Sequence, residues 1–197
     1  MANRMRPYSL LVVVLGYFAV PLPAQQAGAT VEGDVYLVTQ GGDVKRGAGN
    51  TVRLLPGQGP MHAALAKVCR DYFAAKDKGF DDSTKVLDFI TGSLPALARL
   101  THDRIDSILV SFTVAASPTG INAHYRFGRV NPGHYLLWAE TQIGDNRYTW
   151  WAPIVVRPQA GSVSKDLDNS VVTEEDLSNE FTAAFKSPVQ CPLRASK

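Results

Sequence analysis

His124-Tyr125-Arg126-Phe127-Gly128-Arg129-Val130-Asn131-Pro132-Gly133-His134-Tyr135-Leu136-Leu137-Trp138-Ala139-Glu140-Thr141 is the stretch that decides the fold. In an extended chain successive side chains point to opposite faces, so Tyr125 and Phe127 point one way and Arg126 the other. Asn131-Pro132-Gly133 then reverses the chain, because proline presets one turn torsion and glycine accepts positive φ. Beyond it Tyr135, Leu137 and Ala139 share one face, and His134, Leu136, Trp138 and Glu140 share the other. Two period-two runs around a tight turn read as a pair of β-strands joined by a hairpin.

The same pattern extends in both directions. Downstream, Gly144-Asp145-Asn146 is a turn, Tyr148 to Val156 a strand ended by Arg157-Pro158, and Ser162 to Leu167 a last strand. Within Tyr148-Thr149-Trp150-Trp151 the parity is ambiguous, and one tryptophan must point in and the other out. From Thr173 a capping threonine followed by Glu174, Glu175 and Asp176 predicts a helix over about 173–185, which Phe181 and Phe185 would dock. Upstream, Val31, Gly33, Val35 and Leu37 alternate along a first strand, and Thr51-Val52-Arg53-Leu54-Leu55 is a second, stopped by Pro56-Gly57. Ile108 to Val114 reads as a third, with Ser117-Pro118-Thr119-Gly120 as the turn after it.

Between the second and third strands the period changes. Met61, Leu65, Val68, Cys69, Tyr72 and Phe73 recur at three- and four-residue steps, the apolar stripe of a helix over about 61–77. Val86, Phe89, Ile90 and Leu94 line a second helix, and Pro95 opens a further short one. The expected fold is mainly β: a seven-strand, Greek-key-like sandwich over 30–170, with a helical insertion at about 60–107 and a C-terminal helix and tail over 171–197.

Residues 1–29 read as an address. Arg4 and Arg6 precede an apolar run from Leu10 to Leu22, followed by small residues at Ala27-Gly28-Ala29, with Ala24 a second cleavage candidate. The run is too short for a span of about 20 residues, so the expectation is a secretory signal peptide, an exported periplasmic or extracellular protein, and no membrane span after its removal. The whole chain carries 20 Lys+Arg and 18 Asp+Glu, a formal charge of +2. Losing Arg4 and Arg6 with the signal leaves the mature charge at zero, so nothing holds nucleic acid by counterion release. Both cysteines, Cys69 and Cys191, lie in the exported part. An even count in an oxidising compartment makes them a disulfide candidate, the alternative being two buried thiols.

The residues give no catalytic constellation. His62, His102, His124 and His134 show no metal-ligand spacing, and His124 and His134 are expected to face each other across the hairpin as a surface pair. Asp166-x-Asp168-Asn169 offers too few oxygens in its span for a calcium loop. His102-Asp103 are adjacent and point apart on a helix, and no Gly-x-Ser-x-Gly elbow occurs. The expectation is no catalytic residue, no metal and no cofactor. What remains is aromatic: Trp138 with one of Trp150 and Trp151 faces out of the sandwich. That face needs a cover, either the helical insertion or a ligand such as a sugar ring or a partner protein.

Val31-x-Gly33-x-Val35, Thr51-Val52-Arg53-Leu54-Leu55, Tyr125-x-Phe127-x-x-Val130-x-Pro132-Gly133-x-Tyr135-x-Leu137-x-Ala139 and Leu167-x-Asn169 together resemble the carboxypeptidase regulatory-like domains of exported bacterial proteins. These are transthyretin-like, or prealbumin-like, sandwiches. The likeness covers about 31–57 and 109–170 and leaves out the helical block; Ser117-Pro118-Thr119-Gly120-Ile121-Asn122 stands where such domains carry a Thr-Asp-x-x-Gly turn. The resemblance implies a non-catalytic role, and some relatives sit beside starch-binding domains. Two functions follow as expectations: a binding or scaffolding module of the cell envelope, or a carbohydrate-binding accessory domain using Trp138 and one of Trp150 and Trp151. The partner would be an envelope protein or a glycan.

Overall fold

The computed structural model describes residues 28–81 and 84–176. Most of the expected signal peptide, the tail beyond 176 and Cys191 therefore lie outside the described residues.

Among the described residues the chain forms a β-sandwich with a third, helical layer. One sheet has the strand order β6 (His124–Val130), β1 (Ala29–Asp34), β9 (Ser162–Ser164). The other runs β10 (Val172–Asp176), β8 (Asn146–Val156), β7 (Gly133–Ile143), β4 (Thr51–Pro56), β5 (Ala115–Pro118). A small ribbon pairs β2 (Tyr36–Val38) with β3 (Val44–Arg46). The helices follow β4: α1 (Pro60–Asp81), a single turn α2 (Val86–Asp88), a π-helical turn Phe89–Ser93, and α3 (Leu94–Ser111). Among the described residues there are thus ten short strands where the sequence pattern suggested seven, because the expected first strand breaks after Asp34 and its second part, β2, pairs with β3 in a ribbon, while β10 adds to the edge of the larger sheet beside β8.

Alternation decides where the core sits. Val31, Tyr125 and Phe127 of the smaller sheet meet Val52, Leu54, Leu137, Ala139, Trp150, Ala152 and Ile154 of the larger one in a single buried cluster. The odd positions of β7 and the even positions of β8 share this inner face because Leu137 pairs with Ala152 and Ala139 with Trp150. The other face of the same sheet is also apolar. Leu55 and Trp138 join Met61, Leu65 and Tyr72 of α1 and Ile105 and Leu109 of α3 in a second cluster. The larger sheet is therefore buried on both sides, by a sheet on one and a helix pair on the other.

The sequence features behind the family resemblance have physical explanations. A Cβ at Gly33 would lie 2.0 Å from the backbone oxygen of Lys165, so only glycine lets the segment after β9 pass β1 at this distance. The Tyr125 hydroxyl donates to that same Lys165 carbonyl. Leu167 is fully buried, and Tyr36 N donates to its carbonyl at 3.0 Å while its own N–H donates to Asp34 O at 2.9 Å. Two residues on, the Asn169 side chain imitates a strand: Val38 N donates to its Oδ1 at 2.7 Å and its Nδ2 donates to Val38 O at 2.8 Å. After Pro132-Gly133 the Tyr135 hydroxyl donates back to Asn131 O at 3.0 Å, which fixes the exit of the turn.

Four expectations change. First, 108–111 is the end of α3 and not a strand, so the insertion reaches Ser111 and the strand that follows is Ala115–Pro118. Ile105, Leu109 and Phe112 continue the helical stripe down onto Trp138, and this burial outweighs the β-branched, strand-like composition of the run. Second, 172–176 is extended: Val172 pairs with Trp150 and Glu174 with Tyr148 at the edge of the larger sheet, where backbone pairing takes the place of the expected helix start. Third, Asn131-Pro132-Gly133 does not close a hairpin. It carries the chain from one sheet to the other, since β6 pairs with β1 and β7 with β4 and β8. Fourth, His124 and His134 are accordingly not cross-strand neighbours; His124 Nδ1 lies 2.9 Å from Asp34 Oδ1 on β1 instead.

The crevice between α3 and the outer sheet face

Register resolves the tryptophans. Trp138 on β7 pairs with Trp151 on β8 and with Arg53 on β4, so these three side chains project together from the outer face. Trp150 projects the other way and is 1% exposed within the sandwich core. Trp138 is 8% exposed, in the cluster beneath α1 and α3. Of the three tryptophans expected at a ligand surface, two are thus interior residues, and Trp151 alone is partly open. The cause is the helix pair, whose apolar stripes need the same floor that a ligand would use.

Trp151 lies 6.4 Å from Trp138 between ring centroids, and the Arg53 guanidinium sits 5.7 Å from the Trp138 ring centre, within cation–π range. Trp138 Nε1 is buried without a hydrogen-bond partner. Toward the free end of the β7–β8 hairpin the apolar floor gives way to a polar crevice. It is lined by His102, Asp106 and Leu109 from α3, by Glu140 and Arg147 from the hairpin, and by Trp151. His102 and Asp106 are four apart on one helix face, so both reach it. Arg147 Nε stands 3.7 Å from Glu140 Oε1, with both side chains about one-third exposed or less.

The crevice holds about 20 Å³, room for roughly one water molecule. As it stands, a sugar ring does not fit between the indoles. Burial pushes the Asp106 carboxyl above the usual carboxylate range, while Arg147 and His102 pull it back down. A carboxyl with a raised folded pKa weakens the fold as pH rises through the interval between its unfolded and folded values; below that interval it has no effect. Asp106→Asn is therefore expected to raise the melting temperature at pH 7 and leave it unchanged near pH 3. Thermal melts at the two pH values check this, and a loss of stability at pH 7 would show that the ionised carboxylate is a net stabiliser.

Sequence reasoning missed this polar set, because Asp106, Glu140 and Arg147 carry no motif and meet only through the packing of α3 on the hairpin. The remaining candidates are placed elsewhere. Cys69 lies on α1 and is 6% exposed, and its expected partner Cys191 is outside the described residues. Asp166 Oδ1 accepts from Asp34 N at 3.0 Å, and Asp168 Oδ1 accepts from Ser170 N and Oγ at 2.8 and 2.6 Å. These bonds from Ser170 hold the Asp168 carboxyl below its ordinary range. Among the described residues no group of three or more His, Cys, Asp or Glu side chains is arranged to hold a metal ion. Nor is any described helix long and apolar enough to cross a membrane.

No protein-family model and no curated protein matches the chain. Among solved structures it is similar to a provisional carbohydrate-binding protein from Pseudomonas aeruginosa, at 19% identity and a TM-score of 0.36, over 72% of this chain and 91% of that one. It is also similar to the pilus backbone protein of Streptococcus pneumoniae, at 8% identity and a TM-score of 0.27, over 70% of this chain and 41% of that one.

Proposed function

We propose that this chain is an exported, non-catalytic module of the bacterial cell envelope that works by binding or scaffolding, and that its sandwich is of the carboxypeptidase regulatory-like kind. The observation that carries the reading is the helix pair over the outer sheet face. It commits Trp138 to packing and makes a rigid three-layer body out of a sandwich whose tryptophans could otherwise have served a ligand. The Gly33, Leu167 and Asn169 contacts support the family assignment, since each motif residue has a structural task in the sandwich.

Export rests on Arg4, Arg6 and the apolar run after them. Ala29 is 2% exposed in β1, opposite Val130, so cleavage after Ala29 would remove a core residue from the mature protein. Cleavage upstream, between Ala24 and Gly28, keeps the strand whole. The second reading, a carbohydrate-binding accessory domain, is favoured by one feature: Trp151 is partly open beside Glu140, Arg147 and Asp106.

Expression of the full chain in a bacterial host, with mass spectrometry of the envelope fraction and a glycan array on the mature protein, tests both. The expected result is a mature N-terminus between Gln25 and Gly28 and no glycan signal. Intact Met1 in the cytoplasm would overturn export. Glycan binding abolished by Trp151→Ala in a protein of unchanged melting temperature would establish the second reading over the first.

A further inference from the structure

The sandwich carries opposite charge at its two ends. Register sets the ends apart: Asp34 pairs with His124 and Thr51 with Pro118 at one, Ala29 with Val130 and Gly133 with Val156 at the other. The turn 119–123 and the segment 165–168 after β9 therefore lie at the first end, and 129–132 and 157–161 at the second. Thr30 N donates to Gly161 O at 3.1 Å, which fixes the latter placement.

The first end is acidic. Desolvation, and then the charges of Asp168, Asp166 and Asp34, push the Tyr36 hydroxyl above its ordinary range. Asp43 at the tip of the β2–β3 ribbon and Asp145 at the tip of the β7–β8 hairpin add to this set, against Lys45, Arg46 and Lys165. Ile121, at the apex of the turn, is 91% exposed. The turn cannot fold it inward. The buried Thr119 hydroxyl donates to Gly47 O at 2.6 Å, Ala123 N to Gly120 O at 2.8 Å, and Val35 N to Ala123 O at 3.0 Å. The second end is acid-free: segments 56–62, 128–134 and 155–162 hold no Asp or Glu, while Arg129 and Arg157 are exposed. Val155 beside them is 49% exposed. Among the described residues three non-glycines have positive φ, Ala123 at 63°, Arg129 at 59° and Gln159 at 66°, and all three sit in these end loops. Backbone stays in that region only where its surroundings over-determine it. Both ends are thus fixed surfaces, which lose little conformational freedom on docking.

We infer that copies of this chain associate head to tail, the acidic end of one, with Ile121 at its apex, docking on the acid-free end of the next at Arg129 and Arg157. Charge selects the occupant, because each end has its complement on the same molecule. A formal charge of +2 for the whole chain, and zero without residues 1–29, leaves little net repulsion between copies. An anionic membrane would be repelled by the acidic end, so it does not account for Ile121. The two surfaces differ, so the contact is heterologous and repeats beyond a two-fold dimer. The inference rests on the scaffolding reading above and names its partner.

Sedimentation velocity of the purified full chain over a range of concentrations, at salt of about 0.01 M and about 1 M, tests it. The Debye length falls from about 30 Å to about 3 Å between the two. The expected result is species beyond the dimer that grow with concentration at low salt, and association about tenfold or more weaker at high salt. Arg129→Glu with Arg157→Glu spoils one end, and Ile121→Glu spoils the other. Each variant should be monomeric at an unchanged melting temperature, because all three side chains are exposed. If Arg129→Glu does not fold at its positive φ, Arg157→Glu alone takes its place. Mixed, the two variants should form a one-to-one dimer and nothing larger, since the intact acidic end of the first meets the intact acid-free end of the second. A parent protein that is monomeric at low salt, a dimer that does not grow, or variants that stay monomeric when mixed would each overturn the inference. The reading above fails by different results, glycan binding through Trp151 or intact Met1 in the cytoplasm.

Discussion

Trp138→Ala is expected to destabilise the fold by about 3–5 kcal/mol, the usual cost of emptying a large aromatic site in a core. The side chain is 8% exposed and shares its cluster with residues from β4, α1 and α3, so no single neighbour can collapse into the space. Trp138→Phe should cost much less. It keeps most of the apolar contact and removes an indole N–H that finds no acceptor where it lies. Urea unfolding of the three proteins measures both effects. An Ala variant within about 0.5 kcal/mol of the parent, the range of an ordinary surface substitution, would mean that the helices do not rest on this face.

Gly33→Ala should be about as damaging, at roughly 3 kcal/mol or more, for a different reason. Nothing is emptied. A methyl group is instead forced to within 2.0 Å of a carbonyl oxygen, and the obstacle is backbone that cannot rotate away. The segment carrying Lys165 must move, which breaks the parallel pairing of Val31 with Val163 and pulls the Lys165 carbonyl from the Tyr125 hydroxyl. The variant should therefore expose the Tyr125 ring as well as lower the melting temperature. Near-ultraviolet absorbance and a thermal melt read the two together. A stable Gly33→Ala protein with Tyr125 still buried would show that β9 is free to shift away from β1.

The strands around Pro132-Gly133 and Gly144-Asp145 were legible from alternation, but the turn residues at Asn131-Pro132-Gly133 suggested a hairpin where the chain crosses from one sheet to the other, since a reversal looks the same locally whether or not its flanking strands pair. Tyr135, Leu137 and Ala139 lie inward as the period requires, and Trp138 opposes them under the helices. Four other features were not legible, each for a physical reason. Ile108-Leu109-Val110 is apolar at every position, so periodicity cannot separate a buried helix from a strand; only the stripe running back to Leu94 does so. Thr173-Glu174-Glu175-Asp176 has the composition of a helix start, but the open edge of β8 offers it backbone partners that local sequence cannot reveal. The choice between Trp150 and Trp151 depends on register, which is set by pairing with β7. The polar crevice was invisible because it assembles from residues on α3 and the hairpin that are far apart in the chain.

The helical insertion also bears on how the chain can fold. It leaves the larger sheet at Pro56 and returns at Ala115, yet Val114 N donates to Leu54 O at 2.8 Å, and Leu54 pairs with Ala115. The excursion thus begins and ends at one point. Closing a structureless loop of roughly 60 residues would cost on the order of 3–4 kcal/mol in chain entropy. Here α1 and α3 are antiparallel and contact each other directly, and helices form from neighbouring residues. A paired helix unit shortens the effective loop that β4 and β5 must close, so the long sequence separation between those strands imposes a smaller barrier on their meeting than its residue count suggests.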